Sequence, residues 1–370
     1  MTNSSLDLLF TGDLVLDEPN PDHWLGGIAP AIQAADVAIG HLEVPHSHRG
    51  TELKGDVPAP GADPAHIAAL KRAGFAAVSL AGNHITDLGA AGIADTREFL
   101  AKSNIAFTGA GATLVEASTP ALLECDGRTI GLLSFNCVGP EASWAAADRA
   151  GCAYVRIETA DGKPIAPSAR LEHINGQSLC EMQQAIAELR ARADIVIVAL
   201  HKGIVHTPAT LAPYERALSH AAIDAGADIV VGHHAHIVRG LEMYRGKPIF
   251  HGLGNGCVVT RALSPSQSHP ERAAWAKKRR ELFGFEPDPA YELAPFHPEA
   301  INAMFGRVQI SRDGRLCVGF TPVHVEAPGR PVLAHGGVAS RVIDYIQHIT
   351  VKAGLPPITI QREGDDAWLV

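Results

Sequence analysis

Cysteine is scarce and dispersed in this chain. There are six in 370 residues (Cys125, Cys137, Cys152, Cys180, Cys257 and Cys317), with no CxxC pair among them. That spacing suits reduced thiols in a cytosolic protein. Basic charge is also short: 31 Lys and Arg stand against 40 Asp and Glu, for a net −9 and a pI near 6.1. General nucleic-acid binding therefore has no electrostatic support. No apolar run approaches the roughly 18 residues of a membrane span. The opening MTNSSLDLLFTGD lacks the basic region, apolar core and small-residue cleavage site of a signal peptide. The expectation is a cytoplasmic protein with neither membrane nor nucleic-acid partner. Internal repeats and low-complexity tracts are missing too. The 46% hydrophobic and 19% charged fractions belong to an ordinary globular protein, long enough for one large α/β domain or two smaller ones.

What is abundant is histidine, with 19 residues clustered after apolar runs. The densest group closes Ala227 to His236, ADIVVGHHAH, a short apolar strand that stops in His233, His234 and His236. Other runs stop in the same kind of residue. Leu6 to Asp13 ends in Asp13, and Val37 to Glu43 ends in His41 and Glu43. Ala76 to His84 ends in Asn83 and His84 with Asp87 one turn later, and Asp194 to His201 ends in His201. Near-continuous Val, Ile, Leu and Ala runs belong to sheets covered on both faces, since no solvent face demands alternating polar residues. Ligands of open α/β sheets bind at the carboxyl ends of strands, so these termini describe one convergent polar site. Imidazole with carboxylate oxygen suits a divalent transition metal such as Zn, Mn or Fe, and the lack of cysteine there argues against a structural thiolate zinc site.

Between these ends the chain reads as strand, loop and helix repeated, which implies parallel pairing with crossovers. Asp63-Pro64 reads as a helix start and Gly74 as its end, followed by a helix of about Ala90 to Lys102. Ser178-x-x-Glu181 reads as a capping box for a long helix to about Arg192. Asp126-Gly127 and Asp313-Gly314 each sit between strand-like runs as hairpin turns. Lys247 to Asn255 reads as one more strand, Gly337 to Ala353 as a helix and Ile358 to Gln361 as a terminal strand. Residues His46 to Pro60 read as an irregular excursion over the site, with His46 and His48 as solvated loop histidines; the alternative, from their proximity to Glu43, is substrate contact. Val138 to Gly176, containing Trp144, reads as a cap or gating loop. The segment Ser264 to Ala303 breaks the rhythm and carries a basic helix-like run, Ala273 to Phe283. Lys277, Lys278, Arg279 and Arg280 read as a solvated helix face; the alternative is a lid whose cations meet an anionic substrate.

The ordered set TGD (Thr11 to Asp13), HLE (His41 to Glu43), AGNHITDLG (Ala81 to Gly89), LHKG (Leu200 to Gly203), GHHAH (Gly232 to His236) and YRGKPIFHGLGN resembles the family of the bacterial capsule-synthesis protein CapA. That family is related to poly-γ-glutamate synthesis proteins and lies within the calcineurin-like metallophosphoesterase superfamily. The resemblance covers about Leu6 to Val259. It implies an α/β fold, a calcineurin-like metallophosphatase sandwich of two mixed β-sheets flanked by helices. The expected organisation is a single domain over 1–370 with an inserted lid-like segment of about 264–303. It further implies one or two divalent ions of Mn, Fe or Zn held by Asp13, Glu43, Asn83, His201, His234 and His236. His84, His201 and Glu43 are implied as catalytic groups. The first motif lacks the superfamily's usual Asp-x-His, because Leu14 and Val15 follow Asp13, so one ligand is missing from one metal. His201-Lys202-Gly203 likewise replaces the usual His-Trp-Gly.

The leading expectation is a soluble metallohydrolase whose activated water attacks an amide, possibly glutamyl-type, or ester bond. Its substrate is a small or peptide-like anion held by Lys202, Arg239, Arg261 and His233. Metal-independent acid/base chemistry, such as epimerisation with Glu43 and a histidine as opposed groups, is the alternative, and a non-catalytic factor of poly-γ-glutamate or capsule biosynthesis is a third class. His206 and His251 are further candidates, and Asn255 is a candidate to hydrogen-bond a ligating histidine.

Overall fold

The structure is a computed structural model that describes residues 5–53, 61–264 and 267–370. Alternation along its strands explains the unbroken apolar runs. Leu6, Leu8 and Phe10 of the Leu6–Leu16 strand point into one core with Ile197, Ile229 and Phe250, while Leu9 and Leu14 point into another with Ile32, Leu70 and Ile93. Ile195, Ile197 and Ala199 of Ile195–His201 join the first core, and Val196, Val198 and Leu200 join a third with Ile186 and Leu218. Successive side chains leave a strand on opposite faces, so each strand here is apolar on both because each face is covered. The first core lies between two sheets, and the other two lie between a sheet and its helices. Fully burying a Leu or Phe side chain stabilises by roughly 1.5–3 kcal/mol, and the three cores tie sheets and helices into one body.

Among the described residues the larger sheet has ten strands and the smaller principal one six. In the larger, Leu6–Leu16, Val37–Leu42, Phe75–Ser79 and Ala106–Thr108 run parallel in that order. On its other side Leu6–Leu16 pairs antiparallel with Asn302–Ile310, which continues into Leu316–Glu326 and the terminal hairpin. In the smaller, Arg128–Asn136, Ile195–His201, Ile229–His233 and Lys247–Leu253 run parallel, with antiparallel strands at both edges. Two mixed sheets flanked by helices is the fold that the motif resemblance implies.

One crossing between the sheets fixes the site. Lys247–Leu253 belongs to the smaller sheet, yet Asn255–Val259 pairs parallel with Leu6–Leu16 in the larger, with Asp13 opposite Asn255. Gly254, at φ 78, makes the turn between them. The two backbones touch there: Asp13 N donates to Gly254 O at 3.2 Å, and a Cβ on Gly12 would lie 1.8 Å from Gly254 O. Only glycine permits that approach.

Several boundaries differ from expectation. The first strand does not stop at Asp13 but continues to Leu16, shifting register at Asp13 as its partners change. The long helix spans Gly176–Arg190, and its cap is Asn175, whose side chain accepts from Ser178 N at 3.1 Å, so no Ser178 box starts it. The C-terminus is a hairpin of Ile360–Glu363 and Asp366–Leu369 where a single strand was expected. The expected excursion of His46 to Pro60 falls partly outside the described residues. Within it His46 is buried, not solvated, and holds Val44 O at 3.1 Å through Nδ1.

Gly12→Ala is expected to destabilise the protein by about 3 kcal/mol or more, because its methyl overlaps backbone rather than a movable side chain. Urea unfolding of the two proteins measures it, and a loss under about 1 kcal/mol would show that this contact does not hold the sheets together.

Candidate metal centre

Strand termini from both sheets deliver the polar cluster. Asp13 comes from the register break of Leu6–Leu16, and His41 and Glu43 come from the end of Val37–Leu42. Asn83 and His84 lie in the turn after Phe75–Ser79. From the smaller sheet come His201 and His233, the last residues of their strands, with His234 and His236 in the turn beyond. His234 (φ 88) and His236 (φ 53) hold left-handed backbone, unfavourable for residues with a Cβ and frequent where a chain aims side chains at a functional site.

Two groups of three side chains can each converge on one ion: Asp13, His41 and His201, and Asp13, Glu43 and His236, with the candidate ligand atoms of each group within 4.8 Å of one another. Asp13 belongs to both. Around it, His236 lies 3.6 Å from the Asp13 carboxylate through Nδ1 and 3.2 Å from Glu43 through Nε2. The His234 backbone N–H reaches Asp13 Oδ2 at 3.2 Å. His234 Nδ1 stands 3.1 Å from His201 Nε2, which stands 2.7 Å from Asn83 Oδ1. Asn255 Oδ1 is 2.9 Å from His236 Nδ1, the supporting contact foreseen for it.

Several buried atoms here lack hydrogen-bond partners. His41 Nε2, His201 Nδ1 and both Glu43 oxygens have none of good geometry, although His236 is the near cation for Glu43. A Cβ on Gly82 would come within 3.1 Å of His41 Nε2 and 3.3 Å of His201 Nδ1, so that glycine keeps the space over both nitrogens open. Unpaired buried donors and acceptors are costly, and nitrogen and carboxylate oxygen in such numbers match the preferences of Mn, Fe or Zn. The residues fit divalent metal binding, with Asp13 common to both candidate groups.

Electrostatics point the same way. Burial pushes His41 and His201 well below the usual imidazole range, His234 to about 3 and His233 to about 4, leaving neutral rings with a lone pair to give. His236 is the exception. Burial lowers it, but Glu43 and Asp13 more than compensate and it rises. Burial and the neighbouring Glu43 push Asp13 up, whereas burial of Glu43 itself is outweighed by His236 and its pKa falls.

A cavity of about 540 Å³ opens beside the cluster, lined by Glu43, Asn83, His84, His234 and His236 on one side. Its other walls come from 138–140 and 165–171 and from the Pro270–Phe283 helix with Phe296. In this cavity His84 holds Asp87 Oδ2 at 2.7 Å through Nδ1.

The expected substrate-binding cations lie elsewhere. Lys202 is fully buried, bound to Glu215 at 3.0 Å and to His251 at 3.3 Å. Arg239 is fully buried behind the cavity and donates to Ile204 O. Arg261 is largely exposed and pairs with Glu18 at 3.2 Å and Glu292 at 3.5 Å. His233 stacks on His41 and faces Thr11 O at 3.2 Å, away from the cavity. His251 bridges Lys202 and Glu242 inside the smaller sheet, whereas His206 does line the cavity. His41 is the residue that sequence reasoning left out of the ligand set. Its signal was its position two residues before Glu43 at an apolar strand's end.

Residues 7–258 match the family described as Bacterial capsule synthesis protein PGA_cap. The chain is similar to the capsule biosynthesis protein CapA of Bacillus anthracis, 26% identical over 68% of this chain and 60% of that protein. It is also similar to the PGA biosynthesis protein CapA of Bacillus subtilis, 28% identical over 68% and 62%. A probable polyglutamine synthesis accessory protein of Mycobacterium tuberculosis is 36% identical over 48% of this chain and 43% of its own. The matches thus span about three fifths or less of these relatives' lengths. Among solved structures it is similar to the calcineurin-like phosphoesterase YfkN of Bacillus subtilis, with a TM-score of 0.39 and 12% identity over 94% of this chain and 97% of that one.

Two outcomes follow from the geometry. Lys202→Ala should lower stability by about 3–5 kcal/mol, the loss expected when a buried ion pair is broken, and denaturant titration reads it; unchanged stability would return Lys202 to the substrate side. In chelator, Asp13→Asn should melt higher than the unsubstituted protein near pH 8 and equally near pH 4. A carboxyl raised on folding makes the folded state bind the extra proton above the ordinary range near 3.8, so its stability falls as pH rises from there toward about 8. Asparagine removes that loss. Parallel melting curves at both pH values would contradict the burial of this carboxylate.

Proposed function

The chain belongs to the bacterial capsule synthesis protein family PGA_cap, and from that premise we propose that it is a metal-dependent hydrolase of an amide or ester bond in a small carboxylate-bearing molecule. The observation that carries the proposal is the meeting of two ligand triads at Asp13, on the wall of a cavity of about 540 Å³, a size suited to a small molecule. Asp13, His41 and His201 would hold one ion and Asp13, Glu43 and His236 the other, with Asn83 and His234 alongside. Bound divalent ions would polarise the scissile group and lower the pKa of an attacking water.

The remaining work falls to the chain's own side chains. Asp87 fixes the tautomer of His84 through Nδ1 and stabilises its protonated form, as a carboxylate does for a catalytic imidazole. His84 then delivers a proton to the leaving group from the cavity wall, a contribution of about 10²–10⁴ in rate. Asn255 orients His236. The relatives are named for capsule, PGA and polyglutamine synthesis, which makes a glutamyl-type amide the first bond to test.

Elemental analysis and a hydrolysis screen over glutamyl amides and aryl esters test the reading. The protein as purified without a histidine tag should carry up to two equivalents of Mn, Fe or Zn, and Asp13→Ala should lose nearly all of it. His84→Ala should keep the metal while kcat falls about 10²–10⁴-fold. Full turnover in chelator would replace this reading by metal-independent acid/base chemistry with Glu43 and a histidine. A metal-loaded protein that turns over nothing would leave a non-catalytic biosynthesis factor.

A further inference from the structure

Lys202, Arg239, Arg261 and His233, expected to meet an anionic substrate, do not line the cavity, which leaves it without an evident partner for one. The basic run of the Pro270–Phe283 helix supplies it. Lys277 and Lys278 are exposed, Arg272 pairs with Glu52 and Arg280 with Glu286. Arg279 alone of this run turns inward. It is 2% exposed, lines the cavity, and has no carboxylate partner among the described residues. One terminal nitrogen donates to Pro295 O, while Nε and the second terminal nitrogen have no acceptor. Phe285 and Phe296 flank the guanidinium at 5.9 and 5.8 Å from its carbon to their ring centres. Phe296 in turn stacks on His236 at 4.7 Å, so the guanidinium sits one aromatic layer from the proposed metal ligands.

We propose that Arg279 receives the anionic end of the substrate, and that this substrate carries one anionic group on a compact, largely apolar body. The proposal rests on the reading of this cavity as the substrate site. A guanidinium buried with donors unmade is costly, and its planar fork matches a carboxylate. Among the described residues the cavity's other lining Lys or Arg is Arg170, paired with Glu172 at 2.8 Å; His236 is engaged by Glu43 and Asp13, and the walls include Ile165, Leu171, Ile204, Trp275 and Phe283. A chain of successive carboxylates would meet one guanidinium without a carboxylate partner there, with the Glu43 carboxylate and these apolar walls beside it. A lone anionic group at Arg279, with an apolar body against these walls and the scissile bond toward the triads, uses both features.

Calorimetry on the full chain in chelator, with 4-phenylbutyrate and its uncharged amide as probes, tests this without metal or turnover. The unsubstituted protein should bind the carboxylate at least about tenfold more tightly than the amide. Arg279→Met should bring the two within about twofold while leaving the amide's affinity unchanged. Should Arg279→Met bind neither probe, Arg279→Lys decides: an intermediate preference for the carboxylate supports the assignment, and loss of preference with retained amide binding or loss of both probes overturns it. Equal binding of the two probes by the unsubstituted protein, no saturable binding of either, or a preference that survives Arg279→Met overturns it as well. Tighter binding of a γ-linked glutamate hexamer than of 4-phenylbutyrate overturns the single-anion part. Because these readouts need no bond cleavage, the hydrolase reading and this one can each fail alone.

Discussion

The fold converges on a carboxylate kept out of water. Asp13 is buried where strand ends of two sheets meet, with a second carboxylate, Glu43, close by and His236 between them. In a medium of low polarity such an arrangement is unfavourable unless positive charge compensates it. One imidazole and one backbone N–H are what the chain itself provides. The left-handed turn at His234 and His236, the crossing at Gly254 and the missing Cβ at Gly82 all make sense as concessions to this cluster. Each costs the fold something locally, and each brings a donor to Asp13 or keeps room beside it.

Behind the cluster lies a second polar layer with the opposite character. Lys202, Glu215, His251, Glu242 and Arg216 form a continuous chain of ion pairs and hydrogen bonds between the smaller sheet and the Pro213–Asp224 helix, in which each charged group meets a partner. The contrast is informative. In the cluster at Asp13, by comparison, His41 Nε2, His201 Nδ1 and both Glu43 oxygens have no hydrogen-bond partner of good geometry.

Much of this was legible in the sequence because both faces of the central strands are covered. Unbroken apolar runs announced the sheets, and their abrupt polar ends announced the site. Hairpins at Asp126-Gly127 and Asp313-Gly314 and the cap at Asp63 were legible because their chemistry is local. What failed was direction. Lys202 follows His201 directly, but one residue past a strand end is enough to turn a side chain to the other face, toward Glu215 thirteen positions on. Arg279 stands among three other cations, and only the helix's placement decides which of the four is enclosed. His41 was passed over because the motif resemblance assigned ligand duty to Glu43 alone. The cap at Asn175 was missed because Ser178 offers the same local signal three residues later.

The order of these parts along the chain has an evolutionary meaning. The residues gathered around Asp13 lie within the stretch 7–258 that matches the family. The Pro270–Phe283 helix, with Phe296, lines the cavity from beyond it. Substitutions in that later stretch reshape what the cavity admits while leaving every candidate ligand in place. One wall of the cavity can therefore vary apart from the candidate ligands, because it is carried by a separate length of the polypeptide.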